Sequence, residues 1–372
     1  MFKCQRCGNT QKEYIGFKNN EPYCRKCIKF SNNETLNNPY VKNKDVVINM
    51  KYDLTISQNQ ISNELLNNIE KEDNILVYAV CGAGKTEIIV KVIERTLKKG
   101  GQVGIIIPRR DLVVELGKRI QDIFINNKVT LVYGGHHDDL TGDIIVLTSH
   151  QAFRYNKYFD LVILDEIDAF PYVNNDVLKS FVLNSSKGKI ISLSATPSEL
   201  DLKNNKVFTL FKRYHNNPLP VPKLFISFDL LLLLFISKKV KNYLKDNKYV
   251  FIYVPSIKEG KALYKKVKRL FNCVFVFSSM ENKEEVMKDV RAKKYNVIIT
   301  TTILERGVTY NNLQVLVYKA DEFIFNKETL IQIAGRAGRT IDCPDGDVYF
   351  LANSITKEMK EAIKEIKKYN DM

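Results

Sequence analysis

Residues Ala79-Val80-Cys81-Gly82-Ala83-Gly84-Lys85-Thr86 constrain this chain more than any other feature. They follow an apolar run, Ile75 to Val80, that reads as a buried strand, and they precede a helical stretch, Glu87 to Lys98. A strand that turns through small residues into a helix lets backbone N–H groups close around phosphates, and the helix N-terminus adds a favourable potential. Gly82, Ala83, Gly84, Lys85, Thr86 and Glu87 are therefore the candidate nucleotide-binding residues, with Lys85 reaching the β- and γ-phosphates and Thr86 ligating Mg²⁺. The strict pattern has Gly where this chain has Ala79, so flexibility comes from Gly82 and Gly84.

A second element answers the first. Asp160 to Leu164 reads as another buried strand, and Asp165-Glu166-Ile167-Asp168 follows it. Asp165 at a strand end can hold the Mg²⁺, and Glu166 beside it is the candidate base for water. A chance glycine turn would not bring this partner with it, so the pair predicts ATP hydrolysis.

Cys4-x-x-Cys7 is followed after sixteen residues by Cys24-x-x-Cys27. Two such knuckles predict one tetrahedral, structural Zn²⁺ site, with a small hairpin from Glu13 to Pro22 between them. About thirty residues bury too little apolar surface to fold alone, and metal binding supplies the difference. Cys81, Cys273 and Cys343 are isolated and read as buried hydrophobes. The four histidines are scattered and read as structural or solvent-facing.

Beyond an Asn-rich linker, apolar runs alternate with amphipathic stretches in two halves, which predicts parallel sheets flanked by helices. The first half has runs at Ile75–Val80, Val103–Ile107, Val129–Tyr133, Ile144–Thr148, Leu161–Leu164 and Ile190–Leu193. The second has Tyr249–Val254, Cys273–Phe277, Val297–Thr301, Val315–Tyr318 and Val348–Leu351. A proline-rich breakpoint runs from Pro197 to Pro222. The expected fold is α/β: two tandem parallel-sheet domains, 51–205 and 206–372, which the family resemblance given below identifies as RecA-like, preceded by a ribbon (1–32) and a linker (33–50). Functional loops then gather at the carboxyl ends of the strands.

The formal net charge is +15, and eleven basic but only two acidic residues lie between Lys238 and Arg269. That balance favours a polyanionic partner. No apolar signal segment opens the chain, and the longest apolar run, Leu230 to Ile236, is too short to span a bilayer. The expectation is a cytoplasmic protein, with peripheral attachment to the inner face of the membrane left open.

Gln332-Ile333-Ala334-Gly335-Arg336-Ala337-Gly338-Arg339 reads as a helix presenting two arginines on one face. Arg336 and Arg339 can supply charge to a γ-phosphate, as an arginine finger does.

The ordered set resembles superfamily 2 helicases and translocases. By that resemblance Leu54-Thr55-x-x-Gln58 is the element reading adenine, through Gln58. Pro108-Arg109-Arg110-Asp111-Leu112 and Thr148-Ser149-His150-Gln151 are backbone-contact motifs. Ser194-Ala195-Thr196 is the coupling motif, and Thr301 to Thr309 is motif V. The resemblance implies that Arg109, Thr148 and Thr301 touch DNA phosphates, that Ser194 and Thr196 link nucleotide state to the strand, and that Gln332 assists Glu166. The ribbon, AVCGAGKTE, DEIDAFPY, LERGVT and QIAGRAGR together are similar to the late competence protein family ComFA. This implies an ATP-driven single-stranded DNA motor at the cytoplasmic face of an uptake channel, working with other competence proteins. A repair, replication-restart or RNA helicase on the same engine is the alternative, and a zinc-ribbon binding module with a nucleotide switch is the alternative of another class.

Overall fold

The computed structural model describes residues 2–4, 6–28, 43–168, 171–173, 175–301 and 310–372. The chain divides into two compact units, one of Met1–Ala79 with Gly84–Leu210 and one of Val80–Ala83 with Phe211–Met372. Residues 302–309 of motif V, including Thr302 and Thr309, lie outside the described residues, as do Ala169 and Phe170 of the DEIDAFPY string.

The first unit opens with an antiparallel hairpin, β1 (Ile15–Lys18) and β2 (Glu21–Cys24). Asn19 and Asn20 turn it with φ of 51° and 64°. Asparagine tolerates this left-handed geometry, and two such residues make the turn whose twist matches a hairpin.

Strands β3 (Asn74–Ala79), β4 (Val103–Ile107), β5 (Val129–Val132), β6 (Ile144–Thr148), β7 (Leu161–Asp165), β8 (Ile190–Ser194) and β9 (Lys206–Leu210) form one parallel sheet. Their order across it is β5-β6-β4-β7-β8-β3-β9. The central strands are covered on both faces, which is why Val103–Ile107, Ile144–Thr148 and Ile190–Ser194 are buried along their whole length. Helices α1 (Ile56–Asn68), α2 (Lys85–Ile88), α3 (Val90–Lys98), α4 (Arg110–Ile123), α5 (Asp176–Ser185) and α6 (Glu199–Asn204) supply the cover.

The second unit carries β10 (Lys223–Ile226), β11 (Tyr249–Val254), β12 (Cys273–Val276), β13 (Val297–Thr301), β14 (Leu313–Tyr318) and β15 (Val348–Ala352). They pair in parallel in the order β10-β15-β14-β11-β13-β12. Its helices are α7 (Asp229–Lys245), α8 (Ile257–Val267), α9 (Lys283–Arg291), α10 (Lys327–Ala334) and α11 (Lys357–Asp371). Both units thus have the parallel α/β form that the alternating pattern predicts, in the RecA-like arrangement that the family resemblance implies.

Four expectations need correction. The helix expected from Glu87 to Lys98 is two pieces, α2 and α3, divided at Ile89. Strands β9 and β10 have no counterpart among the apolar runs, because Lys206–Leu210 and Lys223–Ile226 are short, carry polar residues and are largely exposed. Cys273 is buried as expected, but Cys81 and Cys343 are only partly so. Arg336 and Arg339 are not on a helix, since α10 ends at Ala334 and both lie in the turn beyond it. Gly338 makes that turn with φ of 62°, and a side chain there would collide with the carbonyl of Pro344.

Candidate nucleotide and metal sites

In the first unit the carboxyl ends of the parallel strands collect the predicted residues on one edge. Register aligns Asp165 with Leu193, Ser194 with Tyr78 and Thr148 with Ile107. Asp165, Ser194, Thr148 and the start of the phosphate loop after Ala79 therefore end at one level of the sheet.

Gly84, where the loop enters α2, lies against α1. Thr55 caps that helix, its hydroxyl accepting from Gln58 N at 3.3 Å while Gln58 Oε1 accepts from Thr55 N at 2.9 Å. This reciprocal box is worth about 1 kcal/mol and locks the Gln58 side chain. Gln58 is buried, and a Cβ on Gly84 would collide with its amide nitrogen. With φ of 79°, Gly84 is constrained twice, by its own backbone and by its neighbour. Lys85 and Thr86 start α2 immediately after it. Glu87 forms an ion pair with Arg119 of α4, a partner that sequence reading did not identify.

Glu166 follows Asp165 with φ of 60°, and its N–H donates to Leu193 O at 3.1 Å. A non-glycine residue in this left-handed region costs about 1–3 kcal/mol and marks functional sites. The sheet holds it there, turning the Glu166 side chain off the line of β7. Beyond it, Thr196 Oγ1 donates to Asp168 Oδ2 at 2.5 Å, and Thr196 N donates to Ser194 Oγ at 3.0 Å. Ser194 is fully buried and Thr196 nearly so. The coupling motif is thus tied to the strand-end carboxylates through Asp168, a residue sequence reading quoted without a role.

Arg109 is half-buried at the N-cap of α4, and Arg110 beside it lies 4.9 Å from the ring of Tyr133. Thr148 is buried and begins the 3-10 turn Ser149–Arg154. Thr301, half-buried, ends β13 in the second unit.

Gln332 is half-buried on α10, and just past its end Arg336 is buried and Arg339 half-buried. Burial first, and then the neighbouring Arg336 guanidinium, push Arg339 down to about 10, with Arg213 adding to the effect. Burial likewise pushes Arg213 down to about 10.

The four cysteines meet at the other end of the first unit. Their Sγ atoms all lie within 4.8 Å of one another, with Cys4–Cys27 and Cys7–Cys24 each at 3.6 Å. Thiolates about 2.3 Å from a zinc ion have sulfur–sulfur edges of about 3.8 Å, so the set fits a closed tetrahedral site. The knuckles pack into the first unit's core cluster, and Asn184 Nδ2 of α5 donates to Arg6 O at 2.6 Å. The expected Mg²⁺ ligands are a hydroxyl and a carboxylate, oxygen donors of the kind this ion accepts, with Thr86 on α2 and Asp165 ending β7. Among the described residues no helix is long and apolar enough to cross a membrane.

Residues 51–199 match the family described as "Type III restriction enzyme, res subunit", and residues 236–340 match "Helicase conserved C-terminal domain". The competence protein ComFA of Streptococcus pneumoniae strain R6 is 36% identical, over 99% of this chain and 90% of its own length. ComFA of Bacillus subtilis strain 168 is 33% identical, over 100% of this chain and 86% of its own. Among solved structures, S. cerevisiae Dbp5 bound to RNA and ADP BeF3 matches with a TM-score of 0.65 at 17% identity, covering 86% of this chain and 88% of that one. At that identity the likeness is one of fold.

Proposed function

The chain belongs to the ComFA family of competence proteins, superfamily 2 helicase-like, DNA-dependent ATPases, and from that premise we propose that it is an ATP-driven motor on single-stranded DNA that works in DNA uptake. The observation that carries this reading is the shared level of Asp165, Ser194 and the phosphate loop on one sheet edge, with Glu166 held in left-handed geometry beside them.

In this reading the loop Gly82–Thr86 cradles the phosphates of ATP, Gln58 and Glu87 flank it, and Lys85 neutralises the β- and γ-oxygens. Thr86 and Asp165 are the residues that would hold Mg²⁺, which supplies charge on the same oxygens when bound. Glu166, assisted by Gln332, orients the attacking water and takes its proton. Arg336 and Arg339 stabilise charge on the transferred phosphoryl group. Arg109, Thr148 and Thr301 contact DNA phosphates, which gives affinity without sequence choice. The Ser194–Thr196–Asp168 links pass nucleotide state to the strand. Cys4, Cys7, Cys24 and Cys27 hold a structural Zn²⁺. Displacement of streptavidin from biotin-ended single strands tests the motor. ATP-dependent displacement supports it, and ATP turnover without displacement refutes it.

A further inference from the structure

The segment that opens the second unit makes an unusual set of bonds. Phe211 stacks on Tyr369 of α11 with ring centroids 5.2 Å apart and planes 9° from parallel. Eight residues on, Leu219 N donates to Asn370 Oδ1 at 2.8 Å and Asn370 Nδ2 donates to Leu219 O at 2.9 Å. The segment is therefore pinned to one helix at both ends.

Between the pins, three consecutive side chains reach the turn that follows α10. Arg213 Nη1 donates to Ala337 O at 2.9 Å and Gly338 O at 2.5 Å, and its Nη2 donates to Gly335 O at 3.2 Å. Tyr214 Oη donates to Arg339 O at 2.8 Å. His215 Nδ1 accepts from Asn217 N at 3.2 Å, which leaves Nε2 as the donor to Gly338 O at 3.0 Å. Carbonyls just past a helix end have no partner within the helix and must find one elsewhere. Here four of the five carbonyls from Gly335 to Arg339 find theirs on this strap.

We propose that Arg213, with Tyr214 and His215, is the positioning device of the arginine turn, fixing the backbone from which Arg336 and Arg339 project. The inference rests on the reading that those two arginines act on the transferred phosphoryl group. Arg213 is 1% exposed, so its own guanidinium is committed to the carbonyls and is not a third finger. Only a planar fork can serve three carbonyls at once, and a lysine ammonium cannot reproduce that geometry. Arg339 Nε donates to Gly335 O at 2.9 Å, so one carbonyl ties Arg213 and Arg339 together. Positioning acts on turnover, because misplacing a charge that is needed in the transition state lowers kcat before it touches substrate binding.

The test uses the full-length protein with Zn²⁺ and Mg²⁺ supplied, and single-turnover hydrolysis of labelled ATP to keep slow variants measurable. Arg213→Lys should lower kcat by about tenfold or more while KM for ATP and the Kd for single-stranded DNA stay within about threefold. Added to an Arg336→Ala/Arg339→Ala background, it should lower the rate no further. Wild-type kcat in Arg213→Lys, or an additional loss in that background, overturns the inference. If the Arg336→Ala/Arg339→Ala pair itself turns over at the wild-type rate, the arginine reading falls, and this inference with it. Should Arg213→Lys fail to fold, Tyr214→Phe removes one bond to the turn and decides the matter. It should lower kcat by about threefold or more, again only when the arginines are present, and an unchanged rate overturns the inference.

Discussion

Thr196 Oγ1 lies 2.5 Å from Asp168 Oδ2, so a hydroxyl two residues past β8 is bonded to a carboxylate three residues past β7. Both belong to loops at the carboxyl edge of the first sheet. The bond joins the coupling motif to the segment that carries Asp165 and Glu166, and a bond to a charged group of this kind is worth about 1.5–3 kcal/mol. Thr196→Val should leave DNA-free ATPase within about threefold of wild type and cut stimulation by single-stranded DNA at least about fivefold, on the order of 1 kcal/mol of coupling. Thr196→Ser, which keeps the hydroxyl, should restore stimulation. Equal stimulation in Thr196→Val assigns the bond to local structure alone.

Lys85→Ala should abolish turnover and weaken ATP binding, because a counter-charge on the phosphates is lost. Glu166→Gln should stop hydrolysis yet retain ATP affinity, since the carboxylate acts on water. Residual activity above about a tenth of wild type in either variant, a barrier change below about 1.4 kcal/mol, contradicts the assignment.

Metal analysis should find one zinc per chain, lost when Cys4 and Cys7 are both replaced by Ser. Because the knuckles pack into the first unit's core cluster and Asn184 bonds Arg6 O, loss of the metal should also lower the melting temperature of that unit. A protein purified without chelator that contains no zinc removes the site.

Binding to single strands should show little base preference and weaken steeply with salt. Each phosphate neutralised releases condensed cations, so log K falls with log salt by about 0.7 per contact, and about five contacts give a slope near −3.5. Arg109→Glu should weaken binding to every sequence about equally and make the slope shallower by about 0.7. A salt-independent Kd excludes the phosphate-contact reading.

Much of this was legible in the chain itself. The phosphate loop and the Asp165–Glu166 pair are local in sequence, and their strands are buried on both faces, so apolar runs reveal them. The cysteine knuckles are legible for the same reason, since each is a single tight turn. QIAGRAGR has helical spacing, which points to a helix where the structure has a turn. Sequence does not show that the carbonyls of Gly335, Ala337, Gly338 and Arg339 have partners more than a hundred residues earlier. Arg213, Tyr214 and His215 were invisible for that reason, as they sit in a proline-rich break with no periodicity. Asp168 and Arg119 escaped notice because a hydrogen bond or ion pair between distant segments leaves no local pattern.

Steady-state ATPase, measured on the purified full-length protein without nucleic acid, with single-stranded DNA and with RNA of the same length, bears most directly on the proposed motor. Single-stranded DNA should raise kcat by about tenfold or more, with RNA giving markedly less. Absence of stimulation by DNA, or stronger stimulation by RNA, contradicts a single-stranded DNA motor.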